Sequence, residues 1–173
     1  MPTNLELKAR YPSPQRAHER AASCGAEPRG TLIQQDTYYR VPHGRLKLRE
    51  AAGETPELIY YERQEETSER WCTFLREPVA GAAGIGAILA AAFGILAVVR
   101  KRRDLYLFRD ARIHIDDVED LGTFVEFEVT GGRAPATART MRELREAFGI
   151  GDESVVKGSY SDMIAAKRIS GGT

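Results

Sequence analysis

The sequence predicts an α+β fold built on a largely antiparallel sheet, and three observations carry that expectation. The order of elements is strand, helix, several strands, helix, several strands, helix, with short turns between strands, so few helices must cover many strands. Period-two alternation runs through Val98–Glu128 as three consecutive ribbons, each with charges on one face and apolar groups on the other. The length, 173 residues, suits one domain with a substantial core.

Asn4-Leu5-Glu6-Leu7-Lys8 opens the chain as a strand, with Asn4, Glu6 and Lys8 on one face and Leu5 and Leu7 on the other. Pro12-Ser13-Pro14 breaks it and begins a helix, with Ser13 as N-cap and Pro14 at the first helical position. That helix runs to about Ser23 or Cys24, turns Ala17, Ala21 and Cys24 to the core, and stops at Gly25. Thr31–Val41 is a strand in which Ile33, Gln35, Thr37 and Tyr39 alternate against Gln34, Asp36 and Tyr38. Pro42-His43-Gly44 turns into the strand Arg45–Arg49, which carries Arg45, Lys47 and Arg49 on one face. Gly53–Pro56 turns again, and Glu57–Gln64 is the hairpin partner, with Ile59, Tyr61 and Arg63 together. Glu66–Arg70 reads as a polar loop before a short strand around Trp71–Leu75.

Pro78–Val99 is uncharged and about long enough to span a bilayer. Its four glycines among many alanines, and the near-helical spacing of Val79, Ile85, Ile88, Leu89, Ala92 and Phe93, favour a packed helix of roughly Ala80–Phe93 instead. Gly94 stops that helix, and a strand begins near Ile95. Lys101 and Arg103 share a face of this strand. Arg112, His114 and Asp116 share one in the next, opposite Ile113 and Ile115; Glu126 and Glu128 share one in the third, opposite Val125 and Phe127. A helix of about Ala136–Phe148 follows, with a stripe of Met141, Leu144 and Phe148, then a short helix at Asp152–Val156 and a last one at about Ser161–Lys167. There are no repeats and no strong linker, so residues 1–169 form a single domain and 170–173 a frayed tail.

Charge is balanced, 25 basic residues against 25 acidic, so no global polycation points to nucleic acid, no nucleic-acid partner is expected, and any electropositive site must come from local arrangement. Cys24 and Cys72 lack any metal-site spacing and read as ordinary thiols of a reducing, cytoplasmic compartment; the first residues hold no secretory core. Charged faces recur on at least five strands, and hold few of the Ser, Thr, Gln and Asn that a merely solvated face tolerates. Curling this sheet into a barrel, with helices on its apolar outside, would gather the charges in one lumen. Arg and Lys there suit phosphate oxygens. Interspersed carboxylates suit phosphate only with a divalent cation between, and Glu6, Asp116, Glu126 and Glu128 are the candidates to hold Mg²⁺ or Mn²⁺.

These residues carry a family pattern. The chain resembles the CYTH family, the triphosphate tunnel metalloenzymes that include class IV adenylate cyclases, thiamine triphosphatases and inorganic triphosphatases. Asn4-Leu5-Glu6-Leu7-Lys8 stands where the family has Glu-x-Glu-x-Lys. Similarity continues through Asp36–Tyr39, Gly44–Arg49, Tyr60–Arg63, Val99–Arg103, Arg112–Asp116, Leu121–Glu128 and Ser159–Asp162. The resemblance implies an eight-stranded antiparallel closed tunnel, flanked by helices, that binds a triphosphate. It implies Lys8, Lys47, Arg49, Arg63, Lys101 and Arg103 as phosphate ligands, with Arg45, Arg112 and Lys157 beside them. Glu6, Asp116, Glu126 and Glu128 would hold one or two Mg²⁺ or Mn²⁺ ions, and Glu6, Lys8, Lys101 and Arg103 would be the catalytic set. His114 reads as a structural hydrogen-bonding residue, not a base.

The chain departs from the pattern at Asn4, which removes one charge from the metal site. It also lacks the His-Phe pair that one bacterial group of class IV cyclases places before the signature. The leading expectation is a metal-dependent phosphohydrolase acting on tripolyphosphate, thiamine triphosphate or a nucleoside triphosphate. A class IV adenylate cyclase forming cyclic AMP and pyrophosphate is the alternative, and a catalytically silent triphosphate-binding module the third. No membrane partner is expected, and a homodimer is left open.

Overall fold

In the computed structural model the chain forms a closed eight-stranded barrel with every neighbouring pair of strands antiparallel. The structure describes residues 3–63 and 69–170, without the side chains of residues 63 and 170. The strands are β1 (Thr3–Arg10), β2 (Glu27–Tyr39), β3 (Arg45–Ala51), β4 (Glu57–Arg63), β5 (Arg70–Pro78), β6 (Ile95–Phe108), β7 (Ala111–Val118) and β8 (Gly122–Val129). Around the barrel they follow the order β1-β5-β4-β3-β2-β6-β7-β8. The helices are α1 (Pro14–Ser23), α2 (Ala82–Phe93), α3 (Pro135–Phe148) and α4 (Tyr160–Ser170), with a 3₁₀ turn at Asp152–Ser154.

Local chemistry sets the boundaries. The Ser13 hydroxyl accepts the Arg16 amide at 3.3 Å and starts α1. Gly149, at φ 64, ends α3 in the left-handed conformation that residues with a Cβ avoid. Gly44 turns β2 into β3 at φ 61, and a Cβ there would meet the Tyr60 hydroxyl at 2.5 Å. The left-handed backbone of the turn favours glycine, and a side chain there would also displace the Tyr60 ring end. β2 and β6 are longer than the alternation suggests, and their ladder shifts register at Pro28/Gly30 and Tyr38/Tyr39. Such irregularities bend long strands and so help the sheet close.

The alternation sorts two layers. Leu5, Leu7, Ile113, Ile115, Val125, Phe127 and Val129 face outward and pack under α1 and α3, where Phe127 meets Phe148 edge-on at 5.0 Å. α2 covers Tyr39 and Leu48. No helix among the described residues is long and apolar enough to cross a membrane.

The inside is not charged throughout, as the sequence leads one to expect. One end of the lumen holds an apolar cluster of Tyr38, Ile59, Tyr61, Val99, Val118, Phe124 and Tyr160, against Met163 and Ile164 of α4. α4 is thus a stopper for that end. It is held by Arg45, whose guanidinium donates to both Asp162 oxygens at 2.9 Å. The polar loop expected at Glu66–Arg70 lies largely outside the described residues, but Arg70 is no loop residue. It opens β5, is buried, and its guanidinium donates to the Val156 and Lys157 carbonyls. The expected helix at 152–156 is shorter because Val155 bridges to Ala9 and the Val156 amide donates to the Lys8 carbonyl at 2.8 Å. Of the tail expected at 170–173, Ser170 is the last residue of α4, and residues 171–173 lie outside the described residues.

Candidate functional site

Beyond the stopper the lumen is lined by polar side chains from seven strands. β1 supplies Asn4, Glu6 and Lys8; β3 supplies Lys47 and Arg49; β6 supplies Lys101 and Arg103; β8 supplies Glu126 and Glu128. Tyr38, Tyr61, Cys72, Phe74 and Arg76 complete the wall, and Tyr160 enters from α4. Three groupings organise the charges.

The first is a hub at Asp36, which is 0% exposed. Arg49 stands directly across the β2–β3 ladder and donates through Nε at 2.7 Å and Nη2 at 2.9 Å. Lys47 Nζ lies 3.0 Å and Lys101 Nζ 3.1 Å from Asp36 Oδ2. Burial alone would raise the Asp36 carboxyl, but Arg49, Lys101 and Lys47 outweigh it and hold the group well below the usual carboxylate range. The lysines move the other way. Burial, with Arg49 nearby, lowers Lys47 to about 7 despite Asp36. Burial lowers Lys101 to about 8, with Asp36 opposing.

The second grouping centres on Arg103, directly across from Asp116 in the β6–β7 ladder. Its guanidinium donates to Asp116 at 2.7 and 2.6 Å, and Nη2 also reaches Glu126 at 2.7 Å. The Tyr160 hydroxyl donates to Asp116 Oδ2 at 2.8 Å, and its ring lies 3.8 Å from Lys8 Nζ, a cation–π contact. Burial would raise Asp116, and Arg103 brings it below its ordinary value instead. Burial and then Asp116 push the Tyr160 phenol well up, so it remains a donor.

The third grouping is acidic. Glu126 faces Lys8 across one ladder, with Nζ at 3.3 Å, and His114 across the other. Burial would raise Glu126, but Lys8, the neighbouring His114 and Arg103 keep it well below the carboxylate range. Glu6 and Glu128 stand directly opposite each other between β1 and β8, with Arg70 as Glu6's partner on the β5 side. Like charges directly opposed in a ladder are destabilising unless a cation offsets them. His114, Glu126 and Glu128 each turn one ligand atom inward, all within 4.8 Å of one another; Glu6 and Asp116 are not in that group.

Of the residues singled out in the sequence, the lumen wall brings together Glu6, Lys8, Lys47, Arg49, Lys101, Arg103, Glu126 and Glu128. Asp116 lies behind Arg103, with both oxygens committed. Arg45 latches α4. Arg112 is exposed and sits 3.8 Å from Glu128. Lys157 is exposed. The side chain of Arg63 is outside the described set, though its backbone lies in β4. Sequence reasoning missed Asp36 and Tyr160 as site residues, and it placed His114 on this face in a structural role. Asp36 does share a strand face with Gln34 and Tyr38, which was the available signal.

The family profile described as CYTH domain matches residues 2–160. No curated protein matches the sequence. Among solved structures, the PH1012 protein from Pyrococcus horikoshii OT3 superposes with TM-score 0.84 at 22% identity, covering 93% of this chain and 99% of that one. A Vibrio parahaemolyticus protein named as a candidate adenylate cyclase gives 0.75 at 18% identity, covering 95% and 98%. The Hippeastrum protein HpAC1, named for adenylyl cyclase and for a dominant triphosphatase activity, gives 0.68 at 14% identity, covering 95% and 96%. At these identities the three likenesses show a shared fold.

Proposed function

The chain belongs to the CYTH family, and we propose that it is a metal-dependent phosphohydrolase acting on a triphosphate bound in the lumen. The observation that carries this reading is one lumen wall holding Lys8, Lys47, Arg49, Lys101 and Arg103 beside the opposed carboxylates Glu6 and Glu128. Five cations gathered from three strands into one lumen suit a compact polyanion, and opposed carboxylates suit a divalent cation.

The residues fit such an ion: Glu126 and Glu128 converge, and Glu6 faces Glu128 across the ladder. Bound there, Mg²⁺ or Mn²⁺ would supply Lewis-acid polarisation of a phosphoryl oxygen. The side chains do the rest. Lys47, Arg49 and Lys101, braced on Asp36, hold non-reacting phosphoryl oxygens. Arg103, locked by Asp116, presents its remaining N–H groups to charge that develops during transfer. The apolar end under α4 keeps bulk water out on one side.

The test is a substrate panel of tripolyphosphate, thiamine triphosphate and ATP with Mg²⁺ or Mn²⁺ and full product identification. Orthophosphate release supports the hydrolase, and cyclic AMP with pyrophosphate would replace it by a cyclase. Tight binding without turnover would favour a silent binding module, the reading that Asn4 in the lumen supports.

A further inference from the structure

His114 sits on the lumen face of β7, directly across from Glu126, and is 5% exposed. Its Nδ1 makes no hydrogen bond, which sets it apart from the structural role the sequence suggests. Nδ1 points between two carboxylates, 3.7 Å from Glu126 Oε2 and 3.8 Å from Glu128 Oε1, beyond hydrogen-bond reach of both. A buried imidazole nitrogen left without a partner carries a desolvation penalty unless something else occupies its lone pair. Two carboxylates aimed at the same point make that something a cation.

We propose that His114 Nδ1 is a metal ligand, completing a nitrogen–oxygen–oxygen set with Glu126 and Glu128 that prefers a divalent transition ion of the manganese-to-zinc row over Mg²⁺. The proposal rests on the metal-dependent reading of this lumen and names the ion it takes. Ligand atoms around a tetrahedral ion at bond lengths of about 2.1 Å stand roughly 3.4 Å apart, so the two spacings from Nδ1 close by a few tenths of an ångström and the carboxylates, within 4.8 Å, close further through their torsions. Two glutamates and a neutral imidazole offset the ion's double charge. Glu126 keeps acceptor capacity for the ion beside its contacts to Arg103 and Lys8, because a carboxylate has about four lone-pair sites. Mg²⁺ demands oxygen ligands and sheds water reluctantly, whereas imidazole nitrogen suits the transition row. The ligating tautomer carries its proton on Nε2.

The test uses the full chain and Mn²⁺ alone, with no triphosphate. Electron spin-echo spectroscopy of the Mn²⁺-loaded protein is expected to show ¹⁴N modulation from one directly bound imidazole, absent in His114→Gln. Displacement of Mn²⁺ by Mg²⁺, followed by the free Mn²⁺ signal, is expected to need at least about tenfold less Mg²⁺ in that variant. Bound Mn²⁺ without ¹⁴N modulation in the wild-type protein, or no Mn²⁺ binding, would overturn the assignment, and the wild-type spectrum decides even if the variant fails to fold. A nitrogen-bound Mn²⁺ in a protein that hydrolyses no triphosphate would sink the hydrolase and leave this site standing. Turnover with an all-oxygen Mn²⁺ site would do the reverse.

Discussion

Replacing Asp36 by Asn removes the one negative charge shared by Arg49, Lys47 and Lys101 while keeping the side chain's shape. Removing one partner of a buried ion pair destabilises by about 3–5 kcal/mol, because the remaining charge stays buried. The three cations respond differently. With pKa values already down at about 7 and about 8, Lys47 and Lys101 can shed their protons. Arg49 cannot, and it takes most of the residual penalty. At pH 8 the loss therefore falls near the lower bound, about 3 kcal/mol. At pH 6 both lysines are protonated in the wild-type protein and lose their shared counter-charge in the variant, so the loss moves to the upper bound, about 5 kcal/mol. With an unfolding entropy of about 2.1 cal/mol/K per residue over 173 residues, these losses lower Tm by about 8 °C at pH 8 and about 14 °C at pH 6. Scanning calorimetry of both proteins at the two pH values measures the gap. A gap under about 3 °C at both, or one that widens as pH rises, would refute the hub as the structure draws it.

Two further outcomes follow from the same charges. At pH 8 Lys47 and Lys101 are only partly protonated, and a polyanion favours their charged forms, so these lysines take up protons when tripolyphosphate binds there and take up fewer at pH 6, beyond the protons the ligand itself exchanges. Titration calorimetry in two buffers of different ionisation enthalpy reads this directly, and identical heats at pH 8 would contradict it. Asn4→Glu adds a carboxylate to the lumen wall and is expected to tighten Mn²⁺ binding by about tenfold, since ligand charge sets divalent-ion affinity. An unchanged affinity would mean that position 4 lies outside the reach of the ion.

The barrel was legible because alternation is a local signal. Each strand announces its two faces within a few residues, and opposed faces with charge on one and Leu, Ile, Val or Phe on the other leave few ways to close a sheet. Lys101, Arg103, Glu126 and Glu128 were legible for the same reason. Asp36 was not, since its meaning comes from partners 11, 13 and 65 residues away that only strand pairing brings together. Tyr160 and Arg70 were hidden similarly. One leads into a helix and the other borders a polar run, and neither neighbourhood says that the side chain ends up inside the barrel or tied to Val156 and Lys157. His114 was placed on the right face, but whether its nitrogen would find a partner depends on the cross-strand register.

The lumen holds two kinds of carboxylate, a distinction no strand face displays. Asp36 and Asp116 are both 0% exposed with each oxygen committed, Asp36 to three cations and Asp116 to Arg103 and Tyr160. They brace cations from behind and still leave inward N–H groups, since a lysine has three donors and an arginine five. A braced cation loses little rotamer freedom when an anion arrives, so the strength of such a site comes from preorganisation more than from any new charge pair. Glu126 and Glu128 line the lumen beside His114, where a ligand atom from each converges. Grouping Asp116 with the glutamates, as strand pattern alone suggests, would make one acidic set. Asp116 has both oxygens committed to Arg103 and Tyr160, whereas Glu126, though it also accepts from Arg103, converges with Glu128 and His114, so on the reading proposed above a substitution at Asp116 should register first in stability and anion binding, not in metal affinity.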